Sequence, residues 1–427
     1  MIVLKGRLID GNGNAPIENG LVAVEGNIIT YAGRSNEFKV PPTAQIIEVP
    51  DGTIMPGFIE GHCHLGLGDN YFRWFNEHVF NKVIRAERDM EDLLNGGFTS
   101  LRECGGMSNY LKSAWNDGLI HGPRIFSAGK SISQTNGHAD AIRDFPIEMG
   151  QNLTRAFSTY LADGVSEVRK AARMQLREGA DFLKIMGTGG FADQGNSVHR
   201  REYSHAELRA FVEEAEKWGT YVSAHCHGLN GIRACVNAGV KSIEHASYID
   251  AETCEKLMAI DGWIVPTLAT GYRARMNLDR CTPWLREKML SSYDQKLEHL
   301  HLAKKMGVTI AFGADFGGGG GEVTPFIYNG LEFPLLVEEG GLSPMEAIMA
   351  ATKTNARLIF SEKTLGTLEQ GKLADIVVAK GNPLTNIKLL AEQKNIKVVM
   401  LDGKKNRLIN TAVYPGKALN ALPGQQK

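Results

Sequence analysis

The amino-acid sequence predicts an α/β protein, namely a (β/α)8 (TIM) barrel with a small β-sandwich domain formed by both chain ends. Two patterns in the 427 residues support this prediction. Through the middle of the chain, apolar runs of strand length alternate with amphipathic helical segments, which is typical of parallel β/α units. At both ends, β-rich runs follow one another without helices. A doubly wound open sheet is the alternative, but eight units in roughly 300 residues fit a barrel better.

The small domain is predicted to combine residues 1–55 with residues 366–427, and the barrel to occupy residues 56–365. In the first segment, β-rich runs are separated by Gly, Asn and Pro turns, and β character returns in the last segment. The predicted strands of the small domain are Met1–Ile9, Gly20–Val24, Asn27–Ala32, Ile376–Ala379 and Val398–Asp402. We expect the strands of the two ends to pair with each other.

The barrel segment contains eight candidate strands with helical patterns between several of them. The strands are Ile54–His62, Phe98–Glu103, Arg124–Gly129, Asp181–Ile185, Tyr221–His225, Lys241–His245, Ile264–Leu268 and Thr309–Asp315. The sequence from Ser204 to Glu207 is a capping-box start for a helix that runs to about Trp218. A longer helix over Arg286–Lys305 is stopped by Gly307.

The composition argues against several classes of protein. Lys and Arg number 47 and Asp and Glu number 48, so no global positive field favours nucleic acid or an acidic membrane. No apolar run reaches the length of about 18 residues that a membrane span needs, and the N-terminus lacks the pattern of a signal peptide. The six cysteines include no CxxC pair, which argues against a disulfide framework. We therefore expect a cytoplasmic protein without nucleic-acid or membrane partners.

Two histidines stand at the end of the first predicted barrel strand. His62 and His64 are two residues apart on a strand, so their side chains point to the same face. The C-terminal ends of the strands form the mouth of a barrel, where the active sites of barrel enzymes lie. The pair alone is weak evidence, because such pairs also occur on ordinary surfaces. Its position after Pro56-Gly57 favours a role in a site.

Four later strands end in groups that can take part in a metal site, namely Lys184, His225, His245 and Asp315. Each alone has an ordinary explanation, since Lys184 could be a surface lysine and Asp315 a helix N-cap. A barrel brings the ends of all its strands together, so five strands that end in such groups predict one site.

These side chains can be divided between two divalent ions, with zinc as the expected metal. His62, His64 and Asp315 could hold one ion. His225 and His245 could hold the second. Two cations about 3.5–4 Å apart need a shared anionic bridge, which a lysine carbamate formed with carbon dioxide can supply. Water between the ions would be acidified to hydroxide, and Asp315 would take its proton as general base.

A set of segments spread over nearly the whole chain adds a family resemblance. The segments are Leu4–Asp10, Pro56–His64, Gly96–Ser100, Lys184–Gly190, His225, Glu244–Ala246, Gly313–Asp315, Ser343–Thr352 and Leu365–Val378. The set resembles the amidohydrolase superfamily, specifically the branch that contains imidazolonepropionase-like enzymes, bacterial prolidases and ochratoxin-type amidases. The resemblance implies a binuclear metal site.

The resemblance also implies a role for individual residues. The implied metal ligands are His62, His64, Lys184, His225, His245 and Asp315. Carboxylated Lys184 would bridge the two ions, and Asp315 would bind the more buried ion and act as the catalytic base. His138, which follows the third strand, matches a histidine that stabilises charge at the scissile carbonyl. A loop histidine bonded to the backbone is the alternative for His138.

Further candidate substrate contacts lie near the mouth. Prolidase-like members tend to carry His-x-Tyr after the fifth strand, where this chain has His225-Cys-His227; His227 could contact the substrate or pack against the loop. Tyr71 and Trp74 belong to an aromatic segment that could line an apolar pocket or pack beneath a loop. Arg200 and Arg273 could bind a substrate carboxylate, although solvated arginines are the default.

These observations predict a metal-dependent amidohydrolase. A metal-bridging hydroxide would attack the amide carbonyl of a dipeptide or N-acyl amino acid, as in a Xaa-Pro dipeptidase or a carboxypeptidase. The alternative is hydrolysis of a cyclic amide, as in imidazolonepropionase, or of a xenobiotic amide or carbamate such as an ochratoxin-like compound. A non-catalytic scaffold relative is a further alternative, although all six metal positions are filled. Family analogy predicts a homo-oligomer.

Overall fold

The structure is a computed structural model that describes residues 1–67, 77–140, 159–191, 196–279, 281, 283–317 and 325–406. Tyr71 and Trp74, two of the predicted substrate contacts, lie outside the described residues. The strands, in chain order, are β1 (Ile2–Leu8), β2 (Ile17–Glu25), β3 (Ile28–Arg34), β4 (Gln45–Pro56), β5 (Phe58–Cys63), β6 (Phe98–Glu103), β7 (Arg124–Ser127), β8 (Ser131–Ser133), β9 (Thr159–Leu161), β10 (Leu183–Met186), β11 (Val222–Cys226), β12 (Ser242–His245), β13 (Trp263–Val265), β14 (Thr309–Ile310), β15 (Ile376–Lys380), β16 (Ile396–Leu401) and β17 (Lys404–Lys405).

One mixed sheet combines strands from both chain ends. Its order is β17-β16-β15-β4-β1-β2-β3, with β1 parallel to β4 and the other pairs antiparallel. Leu4, Val22 and Ile376 pack together in one apolar cluster of this sheet. The two chain ends therefore pair, as the sequence predicts, in a seven-stranded sheet; its arrangement as a sandwich stays a prediction.

Two parallel sheets carry the middle of the chain. Their orders are β14-β13-β12-β11-β10-β8-β9 and β5-β6-β7. Backbone hydrogen bonds join them on both sides: the amide of Asp315 donates to His62 O over 2.7 Å, and the amide of Asp181 donates to Ser127 O over 2.7 Å. Eight strands, β5 to β7 and β10 to β14, correspond to the eight that the sequence predicts. The chain is thus an α/β protein with parallel β-sheet.

The first predicted barrel strand is divided in the structure. Residues 54–56 belong to β4 in the mixed sheet, and β5 begins at Phe58 after Gly57. The amide of Gly57 donates to Asp375 O over 2.8 Å, and a Cβ at Gly57 would collide with the Thr99 side chain. The Thr99 side chain therefore leaves room only for glycine at this position, where the chain passes from the mixed sheet to β5. The short strands β8 and β9 add to the predicted set.

The helices lie between these strands. They are α1 (Val79–Asn95), α2 (Ser108–Asn116), α3 (Gly164–Arg177), α4 (His205–Lys217), α5 (Leu229–Asn237), α6 (Ala251–Ala259), α7 (Leu268–Met276), α8 (Pro283–Met306), α9 (Glu332–Glu338), α10 (Pro344–Met349) and α11 (Asn355–Leu358). The predicted capping box is confirmed, because Ser204 and Glu207 bond reciprocally at the start of α4. The predicted stop of α8 is confirmed by Gly307, which has a φ of 89°. Among the described residues, no helix is both long enough and apolar enough to cross a membrane.

Candidate metal centre

Four of the predicted ligands come from parallel strands, three of which are neighbours in one sheet while the fourth belongs to the other. His62 belongs to β5, Lys184 to β10, His225 to β11 and His245 to β12. Each residue is at most 7% exposed. Lys184, His225 and His245 lie at the C-terminal ends of adjacent strands and so share one edge of their sheet. His62 reaches them from the other parallel sheet, where its Nε2 lies 3.3 Å from Lys184 Nζ.

His62, His64 and Asp315 point their polar atoms at one another. The Nε2 atoms of both histidines lie 3.4 Å from Asp315 Oδ1. Lys184 Nζ lies 3.3 Å from His62 Nε2. Asp315 adopts a left-handed backbone conformation with a φ of 56°. Residues other than glycine rarely do so, and such strain is typical of functional sites.

The other side of the His62 ring is fixed by Glu244. His62 Nδ1 lies 2.6 Å from Glu244 Oε2, and Nη2 of the buried Arg102 lies 2.7 Å from the same oxygen. Burial raises the pKa of Glu244, but Arg102 and His62 outweigh it and hold that pKa well below its usual range. An ionised carboxylate can only accept hydrogen bonds, so Nδ1 of His62 carries the proton. Nε2 of His62 then presents its lone pair towards Asp315.

His64 is oriented in the same way. Its Nδ1 lies 3.0 Å from the carbonyl oxygen of Gly105, which can only accept, so Nε2 again faces Asp315. Burial lowers the pKa of His62 to about 4, and Lys184 acts in the same direction. Burial raises the pKa of Asp315, but His62, His64 and Lys184 lower it further than burial raises it. At neutral pH the site therefore offers a neutral His62 imidazole and an ionised Asp315 carboxylate.

A second set of imidazoles packs beside the first. His245 Nε2 lies 2.9 Å from His225 Nδ1, and His245 Nδ1 lies 2.7 Å from Thr267 Oγ1. The His227 ring stacks on the His245 ring with centroids 4.7 Å apart, and its Nδ1 lies 2.8 Å from Ser247 Oγ. Burial, reinforced by neighbouring histidines, lowers the pKa of His225 and of His245 well below the usual range. These rings are therefore neutral and able to act as ligands.

The donor set fits divalent metal ions. Ligand atoms of His225, His227 and His245 lie within 4.8 Å of one another, and so do those of His62, His245 and Asp315. His225 Nε2 is buried and has no hydrogen-bond partner among the described residues. A buried, unpaired imidazole nitrogen is costly unless a ligand satisfies it. Neutral imidazoles and carboxylate are the donors that zinc and similar ions prefer.

His138 joins this cluster from the loop after β8. Its ring stacks on the His225 ring, with centroids 4.0 Å apart and planes inclined by 21°. Its backbone amide donates to Glu202. Gly190 packs so closely against the ring that a Cβ there would collide with it. The structure therefore places His138 on the side of the cluster formed by His225.

The other predicted substrate contacts divide into two groups. His227 lies inside the cluster and is 4% exposed. Arg200 is exposed, and the Arg273 guanidinium lies over the Tyr328 ring, 4.3 Å from its centroid. In the described part of the chain, neither arginine forms a hydrogen bond with the imidazoles. The structure thus brings His227 to the site and gives no such support to the two arginines.

The buried groups that orient the ligand candidates were not predicted from the sequence. Glu244 precedes His245, and an acidic residue in an apolar strand signals a buried charge that needs a partner. That partner, Arg102, lies 142 residues away along the chain, so no local pattern identifies it. Glu60 was missed as well: it accepts from the amides of His62 and Ala314 over 2.7 and 3.0 Å, and its burial raises its pKa to about 7.

Comparison with known proteins identifies the class of protein that this fold and site represent. Residues 53–405 match the amidohydrolase family. The chain is 34% identical to ochratoxinase from Aspergillus niger over 427 residues, which cover 94% of this chain and 86% of the relative. The chain belongs to the amidohydrolase family and is a hydrolase of amide or peptide C–N bonds.

Solved structures agree with this assignment. The structure of Aspergillus niger ochratoxinase matches with a TM-score of 0.85 and 32% identity over 95% of both chains. A prolidase complexed with N-methylphosphonate-L-proline matches with a TM-score of 0.87 and 30% identity, over 95% of this chain and 99% of the other. A Xaa-Pro dipeptidase with bound methionine matches with a TM-score of 0.85 and 30% identity over the same shares of the chains. Members of this family generally use divalent metal ions, which agrees with the donor set.

Proposed function

We propose that the protein is a binuclear metal-dependent amidohydrolase that cleaves a dipeptide or an N-acyl amino acid and releases the C-terminal amino acid. The observation that carries this proposal is the buried cluster in which imidazole nitrogens face one carboxylate and one lysine. Hydrogen bonds to the opposite nitrogens of these rings hold them in this orientation. The prolidase and Xaa-Pro dipeptidase relatives support the substrate class, because both match nearly the whole chain.

The proposed architecture is a closed eight-stranded barrel with a small domain of both chain ends. The backbone hydrogen bonds on both sides of β5–β7 support closure, because a barrel leaves no free strand edge. We place the barrel at residues 56–365 and the small β-sandwich domain at residues 1–55 and 366–427. A homo-oligomer in the cytoplasm remains the expectation from the sequence.

Six side chains would hold two divalent ions, with zinc as the expected metal. They are His62, His64, Lys184 as a bridging carbamate, His225, His245 and Asp315. When bound, the ions would supply Lewis acidity, which polarises a carbonyl and acidifies water. Glu244 keeps His62 in the tautomer that offers Nε2.

The protein groups then have separate roles in the reaction. Asp315, ionised at neutral pH, accepts the proton of the attacking water. The C–O bond forms, the C–N bond breaks, and Asp315 returns the proton to the leaving amine. His138 donates a hydrogen bond to the carbonyl oxygen as negative charge develops there. Its stacking on His225 supports this role, because it keeps the ring at the site.

A xenobiotic amide is the second candidate substrate. The 34% identity to ochratoxinase over nearly the whole chain favours it. His227 also stands where prolidase-like members tend to carry tyrosine. A relaxed preference for the released residue, including aromatic residues, would agree with both observations.

A library of dipeptides and N-acyl amino acids, with ochratoxin-like amides included, tests the proposal. Zinc-loaded protein should release free amino acid, measured by mass spectrometry, and Asp315→Asn should reduce the rate about a hundredfold or more. Asp261→Asn, at an exposed ion pair with Arg357, is the matched control and should retain the rate. No release from any compound by protein that holds two metals per chain would contradict the proposed substrates.

A further inference from the structure

The first turn of α7 contacts both halves of the candidate metal centre. Thr267, at the N-cap, places its Oγ1 2.7 Å from His245 Nδ1. Thr270, three residues later, donates through Oγ1 to the carbonyl oxygens of Ala314 and Asp315 over 2.7 and 2.8 Å. His245 belongs to one set of ligand candidates and Asp315 to the other. One turn of helix therefore touches both sets.

Thr267 is held in an unfavourable backbone conformation. Its φ of 51° and ψ of 58° are left-handed, which is a true outlier for a β-branched residue. A threonine at an N-cap ordinarily accepts a hydrogen bond from its own helix. Thr267 makes no such bond and is buried. Its hydroxyl is turned towards His245 instead.

Two buried charged residues hold this turn from neighbouring helices. Glu332, at the start of α9, accepts from the amides of Leu268 and Ala269 over 3.0 and 2.6 Å, which replaces the missing cap. Lys296, from α8, donates to the carbonyl oxygen of Thr267 over 3.3 Å. Glu332 is 0% and Lys296 7% exposed. The peptide group that follows the strained residue is therefore held both at its carbonyl oxygen and at its N–H.

We propose that Thr267 is a positioning residue of the metal centre, anchored by Lys296 and Glu332, whose hydroxyl fixes the His245 ring for metal binding. The hydroxyl accepts from Nδ1–H, which leaves the Nε2 lone pair on the side of His225. Without the hydroxyl, the buried Nδ1–H would lack its acceptor and the ring would lose its orientation. This inference rests on the proposed metal site and adds the groups that set its geometry.

Zinc affinity, measured by competition with a chromophoric chelator, tests the role of the hydroxyl. Thr267→Val keeps the shape of the side chain and should weaken zinc binding about 10- to 100-fold. Thr267→Ser keeps the hydroxyl and should retain the affinity of the parent. Thr53→Val is the matched control, because Thr53 is a buried threonine of the mixed sheet whose hydroxyl donates to Gly381 O over 2.7 Å.

The anchoring role has its own test. Lys296→Met should weaken zinc binding as much as Thr267→Val does. The double variant should lose no more zinc affinity than either single variant, because both changes act through the His245 ring. Lys296→Met also gives an independent result if the valine variant does not fold.

Each contrary outcome has a distinct meaning. A folded Thr267→Val that binds zinc as the parent does overturns the role of the hydroxyl. Losses that multiply in the double variant overturn the anchoring by Lys296. A parent that binds no zinc overturns both this inference and the proposed function.

Discussion

Glu244 fixes the orientation of His62 in the buried cluster. It accepts from His62 and pairs with Arg102, and both partners are almost fully buried. Removing one member of a buried ion pair leaves an uncompensated charge, so Glu244→Gln should lower the free energy of unfolding by about 3–5 kcal/mol. Urea denaturation of the metal-free protein measures this change.

A surface ion pair provides the control for Glu244. Glu18 bonds Arg7, and its side chain is 62% exposed. Glu18→Gln should change the free energy of unfolding by less than about 1 kcal/mol, because exposed pairs contribute little. Equal effects of the two substitutions would contradict the importance of the buried pair.

The neutral state of His62 predicts a pH dependence of stability in the metal-free protein. Burial holds its pKa at about 4, below the value of about 6.5 in an unfolded chain. Between these values the unfolded state binds the additional proton, so the free energy of unfolding falls as the pH drops from 6.5 to 4. His62 alone should account for about 3 kcal/mol of this loss. Denaturant midpoints of the parent and of His62→Asn, measured across this pH range, test this prediction. The same dependence of the midpoint on pH in both proteins would contradict the neutral state of His62.

At the scale of secondary structure, the Ser204–Glu207 capping box is an independent device that stabilises α4. Ser204 accepts from the amide of Glu207, and Glu207 accepts from the amide of Ser204. Ser204→Ala should lower the free energy of unfolding by about 1 kcal/mol, because an orphan amide loses its acceptor. Zinc affinity should stay unchanged. A loss of zinc affinity without a loss of stability would be the opposite of this expectation.

Local patterns explain why the elements could be predicted from the sequence. A few consecutive residues are enough to recognise the capping box, Gly307 after α8 and the spacing of His62 and His64. The end of β4 at Pro56 was not predicted, because Thr99, whose side chain packs against Gly57, lies far from it along the chain. The two-residue alternation of side chains along a strand and the position of apolar runs do not reveal such a contact.

The groups that orient the ligand candidates could not be predicted either, because they lie far from their partners along the chain. Thr267 lies 22 residues from His245, and Arg102 lies 142 residues from Glu244. The fold alone makes these pairs neighbours. The side chains that suit a metal ion could be predicted from the sequence, because their chemistry is specific. A threonine or an arginine has too many ordinary roles to be singled out.

At the scale of the whole molecule, the mixed sheet and the parallel sheets are tied together next to β7. Arg124 Nη1 lies 2.9 Å from Asp375 Oδ2 and its Nη2 lies 2.7 Å from Asp402 Oδ1. Asp375 is buried, so this contact is part of the packed interior rather than a surface pair. The C-terminal strands are thereby linked to the sheet that carries His62.

We propose that one buried cluster binds two divalent ions that serve in the hydrolysis of an amide. A zinc titration of the metal-free protein, with the rate of amino-acid release followed at each addition, tests this proposal. We predict no release without metal and a rate that rises until two ions are bound per chain. Release from metal-free protein at the full rate, or a rate that does not respond to zinc, would overturn the proposal.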